Sequence, residues 1–149
     1  LVNLDTDRDA FDGLLIQKDG AGPGGNDPVK VAKFTMWSIV SVNLDEIEVE
    51  LDLEVAAKDF KRDDITIGAQ LRHCNVLGFC QVIGSGEDEV KNADRWKKIE
   101  IELGEIDRFV SVGDRFELRI AVLDDSENDA WIAFGTEEFD SHLKLTDDD

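Results

Sequence analysis

Residues Ile47 to Val55 read I-E-V-E-L-D-L-E-V, so that Ile47, Val49, Leu51, Leu53 and Val55 alternate with Glu48, Glu50, Asp52 and Glu54. Successive side chains of an extended chain point to opposite faces, which puts every apolar group here on one side and every carboxylate on the other. In a helix the same residues would be smeared around the axis. The pattern returns at Ile99, Ile101 and Leu103 against Lys98, Glu100 and Glu102, and at Phe116, Leu118, Ile120 and Val122 interleaved with Glu117, Arg119 and Ala121. Alternation in three places predicts antiparallel strands with one face in water.

Working outward, less regular apolar runs at Val31 to Ile39, Thr66 to Cys74, Phe79 to Ile83 and Ala130 to Phe134 supply further strands. Turn chemistry separates them at Lys61 to Asp64, Gly84 to Asp88, Gly104 to Asp107 and Asp124 to Asp129, the last read as a hairpin turn kept soluble by its charge. Asp19 to Pro28 reads D-G-A-G-P-G-G-N-D-P, the chemistry of a long flexible loop. No helical period longer than about three turns and no internal repeat stands out. The expected fold is therefore all-β, an antiparallel two-sheet β-sandwich of jelly-roll kind with about seven to nine strands. The expected layout is an acidic linker or calcium loop over 1–12, the sandwich over 13–145 and an acidic tail over 146–149.

The chain has 149 residues, and 16 Lys plus Arg against 35 Asp plus Glu give a formal charge of −19. With 42% hydrophobic and 34% charged residues it is apolar enough for one packed core. Its apolar runs fall far short of the roughly 20 residues that span a bilayer, so no membrane insertion is expected. The charge excludes nucleic acid and anionic lipid as partners, because both need cations to neutralise phosphate. Basic partners and divalent cations fit it. A start at Leu1 rather than Met suggests a processed or excised piece. Adaptation to high salt would account for the acidity without any partner.

Near the start, Asp5, Asp7, Asp9 and Asp12 fall within D-T-D-R-D-A-F-D-G. Oxygen donors at alternate positions can converge on calcium, which accepts six to eight of them in irregular geometry. The stretch resembles the D-x-D-x-D-G-x-x-D repeats of thrombospondin type 3 segments and, more loosely, the start of an EF-hand loop. It departs from both at Ala10, where those families place Gly, and Ile16 stands where an EF-hand closes with Glu. The resemblance makes these four aspartates candidate calcium ligands. Asp124, Asp125, Glu127 and Asp129 form a second acidic cluster, read mainly as a solvated turn.

Cys74 and Cys80 are the only cysteines. A hairpin around Asn75 to Gly78 would let them face each other across the ladder as a disulfide, which implies an oxidising compartment; the alternative is two reduced thiols. His73 beside Cys74 matches no four-ligand zinc spacing. Two histidines, no G-x-S-x-G, no H-E-x-x-H and no phosphate-binding glycine loop give an enzyme little to work with, so no catalytic activity is expected. Of the three tryptophans, Trp37 and Trp131 sit in apolar runs and read as core. Trp96, between Arg95 and Lys97, is the candidate ligand-binding ring.

The C-terminal third carries a resemblance of its own. Val112 to Ile120 (V-G-D-R-F-E-L-R-I), Ala130 to Thr136 and Ser141 to Leu145 resemble the final strands of jelly-roll domains in secreted prokaryotic surface proteins. In those domains a Gly-Asp-Arg turn starts a long strand and a short Leu-x-Leu strand closes the sheet. The resemblance implies an extracellular or cell-surface setting and a structural, adhesive or assembly role, as in a subunit of a surface layer or filament. Self-assembly through Leu14 to Ile16, adding as a strand to a neighbour's open edge, is the expected mechanism. A calcium-assisted carbohydrate-binding module that takes a surface glycan on Trp96 is the alternative.

Overall fold

The alternating stretch lies inside the longest strand, β4. In the computed structural model, residues 2–3, 13–18, 22–25, 27, 29–133 and 142–147 are described. They form β1 (Val2–Asn3), β2 (Gly13–Ile16), β3 (Val31–Trp37), β4 (Val42–Ala57), β5 (Ile65–Cys74), β6 (Cys80–Val90), β7 (Lys97–Val110), β8 (Arg115–Val122), β9 (Ala130–Ala133) and β10 (His142–Asp147). Short 3-10 turns cover Gly22–Gly24 and Lys58–Phe60.

Along one edge of β4, β10 lies opposite Asp52 to Ile47 and β9 opposite Ala57 to Glu54, so the two are successive parts of one lane. On the far side of that lane β1 pairs β10 and β2 pairs β9, while β7 takes the other edge of β4. The first sheet thus runs (β1, β2)–(β10, β9)–β4–β7, and the second runs β3–β8–β5–β6. Every pairing is antiparallel, and the chain changes sheet at every connection from β2 to β9 except the β5–β6 hairpin. This is the order of a jelly roll.

Between the sheets lie the inward members of each alternation: Val49, Leu51, Leu53 and Val55 from β4, Ile99, Ile101 and Leu103 from β7, Ile65, Ile67 and Leu71 from β5, and Leu118, Ile120 and Val122 from β8. Ile16 joins them at 1% exposure. Leu14 to Ile16 pair with Ile132 to Ala130 of the same chain, which corrects the expectation that this segment is free to add to a neighbour.

Other expectations also change. Gly84 to Asp88 is strand rather than turn, because β6 continues to Val90. A Cβ at Gly86 would lie 2.2 Å from the Glu102 carbonyl oxygen, and one at Gly84 would lie 2.6 Å from that of Leu103. These glycines therefore let the edge of β6 close against β7 at one corner of the sandwich. Gly104 to Asp107 is likewise inside β7, with Gly104 at φ +102° beside a register shift against Val49 and Glu50, a bulge rather than a chain reversal. Asp124 to Asp129 does not close a hairpin: it carries the chain from β8 in one sheet to β9 in the other. In the glycine-rich stretch, Gly22 to Gly25 packs on the outer face of the second sheet, where Arg119 Nη1 donates to the Gly25 carbonyl at 3.0 Å.

Candidate functional site

Antiparallel crossovers sort the loops to two ends. The β3–β4, β5–β6 and β7–β8 connections meet at one end, and the β4–β5, β6–β7 and β8–β9 connections meet at the other. Residues 37–43 (W-S-I-V-S-V-N), 75–79 (N-V-L-G-F) and 109–113 (F-V-S-V-G) hold no ionisable side chain, although charged residues make up 34% of the sequence. All three stretches lie at the first end. Trp37, Ile39 and Val40, then Val76, Leu77 and Phe79, then Phe109 and Val112 project there into solvent, with Ile39 86% and Leu77 78% exposed.

Backbone bonds and a few polar side chains hold this end together: Val112 N donates to Ser41 Oγ at 3.0 Å and Ser38 Oγ to the Val40 carbonyl at 2.6 Å. Ser38 N donates to the Asp114 carbonyl at 2.8 Å, and Gly113 N donates to the Ser38 carbonyl at 2.8 Å. Within the hairpin turn Asn75 Oδ1 accepts from Leu77 N at 3.0 Å and from Phe79 N at 3.1 Å. A Cβ at Gly113, where φ is +89°, would lie 3.1 Å from Val76 Cγ1, so the β5–β6 and β7–β8 turns touch. Cys74 and Cys80 are joined as a disulfide at the base of the hairpin turn, their Cα atoms 4.0 Å apart.

A polar plug closes the core beneath the rim. Arg108 Nε donates to His73 Nδ1 at 3.0 Å, so the imidazole proton sits on Nε2, which donates to Asp114 Oδ2 at 2.8 Å. Ser111 N donates to the same oxygen at 3.0 Å. The His73 hydrogen bond, joined by the Ser111 amide, holds the Asp114 carboxyl below its usual range. With both ring nitrogens of His73 engaged, it offers no ligand atom to zinc.

The opposite end is built from charge. Asp64 Oδ1 accepts from Asn92 N at 2.9 Å, and Glu127 Oε1 accepts from Asp64 N at 2.7 Å. Asn128 Nδ2 reaches the Lys58 carbonyl at 3.1 Å and Asp63 Oδ2 at 3.0 Å. The Asn92 amide above all, together with Lys91, keeps the Asp64 carboxyl below its usual range. The cluster Asp124, Asp125, Glu127 and Asp129 thus belongs to a stitched crossing between sheets.

Trp96 also lies at this charged end, partly buried, with its ring 5.9 Å from that of Phe60 in an edge contact at 79°. Trp131 is partly buried in β9. Trp37 is 66% exposed, which corrects its core reading. Inward parity in β3 belongs to Ala32, Phe34 and Met36, leaving Trp37 on the outer side. Asp5, Asp7, Asp9 and Asp12 lie outside the described residues. Among those described, the carboxylates of Glu50, Asp52 and Glu100 come within 4.8 Å of one another on the outer face of the first sheet and could hold a metal ion. Among the described residues no helix is long and apolar enough to cross a membrane.

No family model matches the chain, and no curated protein matches it either. Several solved structures share its fold. A CocE/NonD family hydrolase from Staphylococcus aureus superposes with a TM-score of 0.72 at 14% identity, over 97% of this chain and 35% of the hydrolase. An α-amino acid ester hydrolase gives 0.71 at 8% identity, over 94% of this chain and 33% of that one. An aminopeptidase from a marine-sediment Thaumarchaeota archaeon gives 0.69 at 8% identity, over 95% and 34%. The chain spans about a third of the length of each. At these identities the likeness shows the fold, and the class that fold defines is a jelly-roll β-sandwich module.

Proposed function

We propose that the chain is a non-catalytic extracellular module with a structural or assembly role, and that it performs this role by associating with a second copy of itself through the uncharged end. One observation carries the reading: in a chain of charge −19, three loops far apart in sequence bring exposed apolar side chains to a single end and bring no exposed ionised group with them. Contiguous exposed apolar patches mark interaction surfaces. Charge distribution favours a second copy as the occupant. Two bodies of like negative charge meet with least repulsion at the face whose loops carry no carboxylate. β4 has 16 residues and spans about 50 Å, so the charged ends of an end-to-end pair lie many Debye lengths apart, one being about 8 Å at physiological salt. The Cys74–Cys80 bond supports an oxidising, extracellular compartment.

Sedimentation velocity over a concentration series tests the proposal. The weight-average sedimentation coefficient is expected to rise with concentration, more steeply at higher salt, and to stay at the monomer value in an Ile39→Asp, Leu77→Asp double variant. A strict monomer at every concentration and salt would refute self-association, and an unchanged series in the double variant would place it elsewhere on the molecule.

A further inference from the structure

Beside the disulfide the mouth between the two sheets opens as a cleft of about 450 Å³ lined by His73, Asn75, Phe79, Cys80, Gln81 and Arg108. Its polar groups can be counted for spare capacity. Arg108 uses Nε on His73 and Nη2 on Gln81 Oε1, the latter at 2.6 Å, which fixes the guanidinium plane and leaves three of its five N–H groups uncommitted to any described residue. Gln81 has its oxygen turned to Arg108, so its amide NH2 points away from that bond. Asn75 has its oxygen on Leu77 N and Phe79 N, which leaves its NH2 likewise. What remains in the cleft wall is therefore a set of donors.

Negative charge to match them is missing from the wall. Acidic residues outnumber basic ones 35 to 16, and Arg62, Lys91 and Arg119 each pair with a carboxylate. Arg108 has only neutral acceptors among the described residues. Asp114, one residue deeper, is occupied by His73 and Ser111. Behind the disulfide, on the outer face of the second sheet, Arg115 Nη2 approaches Cys80 Sγ at 3.8 Å and the Glu117 carboxylate, which is paired with Arg119, comes within 4.8 Å of the same sulfur. Phe79 stands at the entrance, 72% exposed, as an apolar wall.

We propose that this cleft is a carboxylate-binding site: Arg108 receives the carboxylate, the amides of Asn75 and Gln81 complete its hydrogen bonds, and Phe79 covers the body that bears it. Arg is suited to this because its planar fork matches the two oxygens of a carboxylate. The site shares Asn75 and Phe79 with the self-association face and otherwise stands on His73, Gln81 and Arg108.

The test is a titration of the Ile39→Asp chain, at a concentration where sedimentation shows monomer, followed by NMR at the Arg108 Nε–H and at the Phe79 and Gln81 amides. Sodium glucuronate and N-acetylglutamate are the carboxylate probes, and glucose is the neutral control. Both carboxylates are expected to shift these signals and glucose to leave them in place. Tighter binding of glucuronate would identify sugar acids as the source, and tighter binding of N-acetylglutamate would identify acidic side chains of a protein. Arg108→Gln is expected to weaken binding about tenfold or more, the loss of a charge-assisted pair. Gln81→Glu, which supplies an internal carboxylate to Arg108 and leaves the imidazole bond in place, is expected to block it equally. Shifts with glucose equal to those with glucuronate, undiminished binding in Gln81→Glu, or no shift with either carboxylate would overturn the proposal, whatever the sedimentation result.

Discussion

The two ends of the sandwich solve the same problem with opposite materials. Each must close three connections over a core whose strands stop there. At the end formed by residues 58–64, 91–96 and 123–129, charged and polar side chains add to backbone bonds between the loops: Asp64, Glu127 and Asn128 each bond a backbone group of a neighbouring loop. Ser126, 2% exposed, accepts from Thr66 N at 3.3 Å and donates to the Asn128 carbonyl at 3.0 Å. At the other end backbone bonds, a disulfide and the His73–Asp114 pair close the structure, and the apolar side chains of the loops face outward. Charge at the first end is therefore structural, and apolarity at the second is not. A residue that contributes nothing to its own fold yet costs solubility points to a role outside it.

Substitutions should separate the two ends, and the largest effect belongs to association. Ile39→Asp with Leu77→Asp should weaken self-association by at least about 2 kcal/mol, or roughly 30-fold, as loss of central apolar anchors does. The same pair should leave the unfolding midpoint nearly unchanged, within about 0.5 kcal/mol, because neither side chain packs inward. A large loss of stability in urea titration would show that the uncharged end is structural after all.

Next in size, replacing both cysteines by serine should cost about 2 kcal/mol in denaturant unfolding, since Cys74 and Cys80 are six residues apart and close a small loop. Ser126→Ala should cost about 1 to 2 kcal/mol at the opposite end by leaving the buried Thr66 amide without its acceptor. It should leave association untouched.

Acid should sharpen the contrast further. The folded Asp64 carboxyl titrates below its ordinary value near 3.8, so the stabilisation it brings is complete above that pH and is lost as the pH falls through the lower folded value. Protection of the Asn92 amide, taken relative to the intrinsic exchange rate at each pH, should therefore persist at the ordinary carboxylate value and fall only as the pH passes the lower folded value, and Asp64→Asn should remove that dependence. The smallest expected effect is from calcium. Glu50, Asp52 and Glu100 are like charges held close on adjacent strands, so millimolar Ca²⁺ should raise the melting temperature slightly, and Glu100→Gln should remove the rise.

Much of this architecture was written in periodicity. The alternations of β4, β7 and β8 bury side chains between two sheets, and one residue of slip would have reversed every face. Glycine misled at Gly84 and Gly86, where its lack of a Cβ serves the approach of β6 to β7 and not a turn. Trp37 was legible in principle, since Ala32, Phe34 and Met36 fix the parity that turns it outward. The uncharged stretches were also visible as strings, but only the crossover topology puts them at one end. The plug could not be read at all, because His73, Arg108 and Asp114 are 35 and 41 residues from their partners and meet only through folding.

Amide hydrogen exchange followed by mass spectrometry at low and high protein concentration tests the central claim most directly. The account predicts that raising the concentration slows exchange at 37–42, 75–79 and 109–113 and leaves 58–64, 91–96 and 123–129 unchanged. Protection that grows at the charged loops, or none that depends on concentration anywhere, would contradict it.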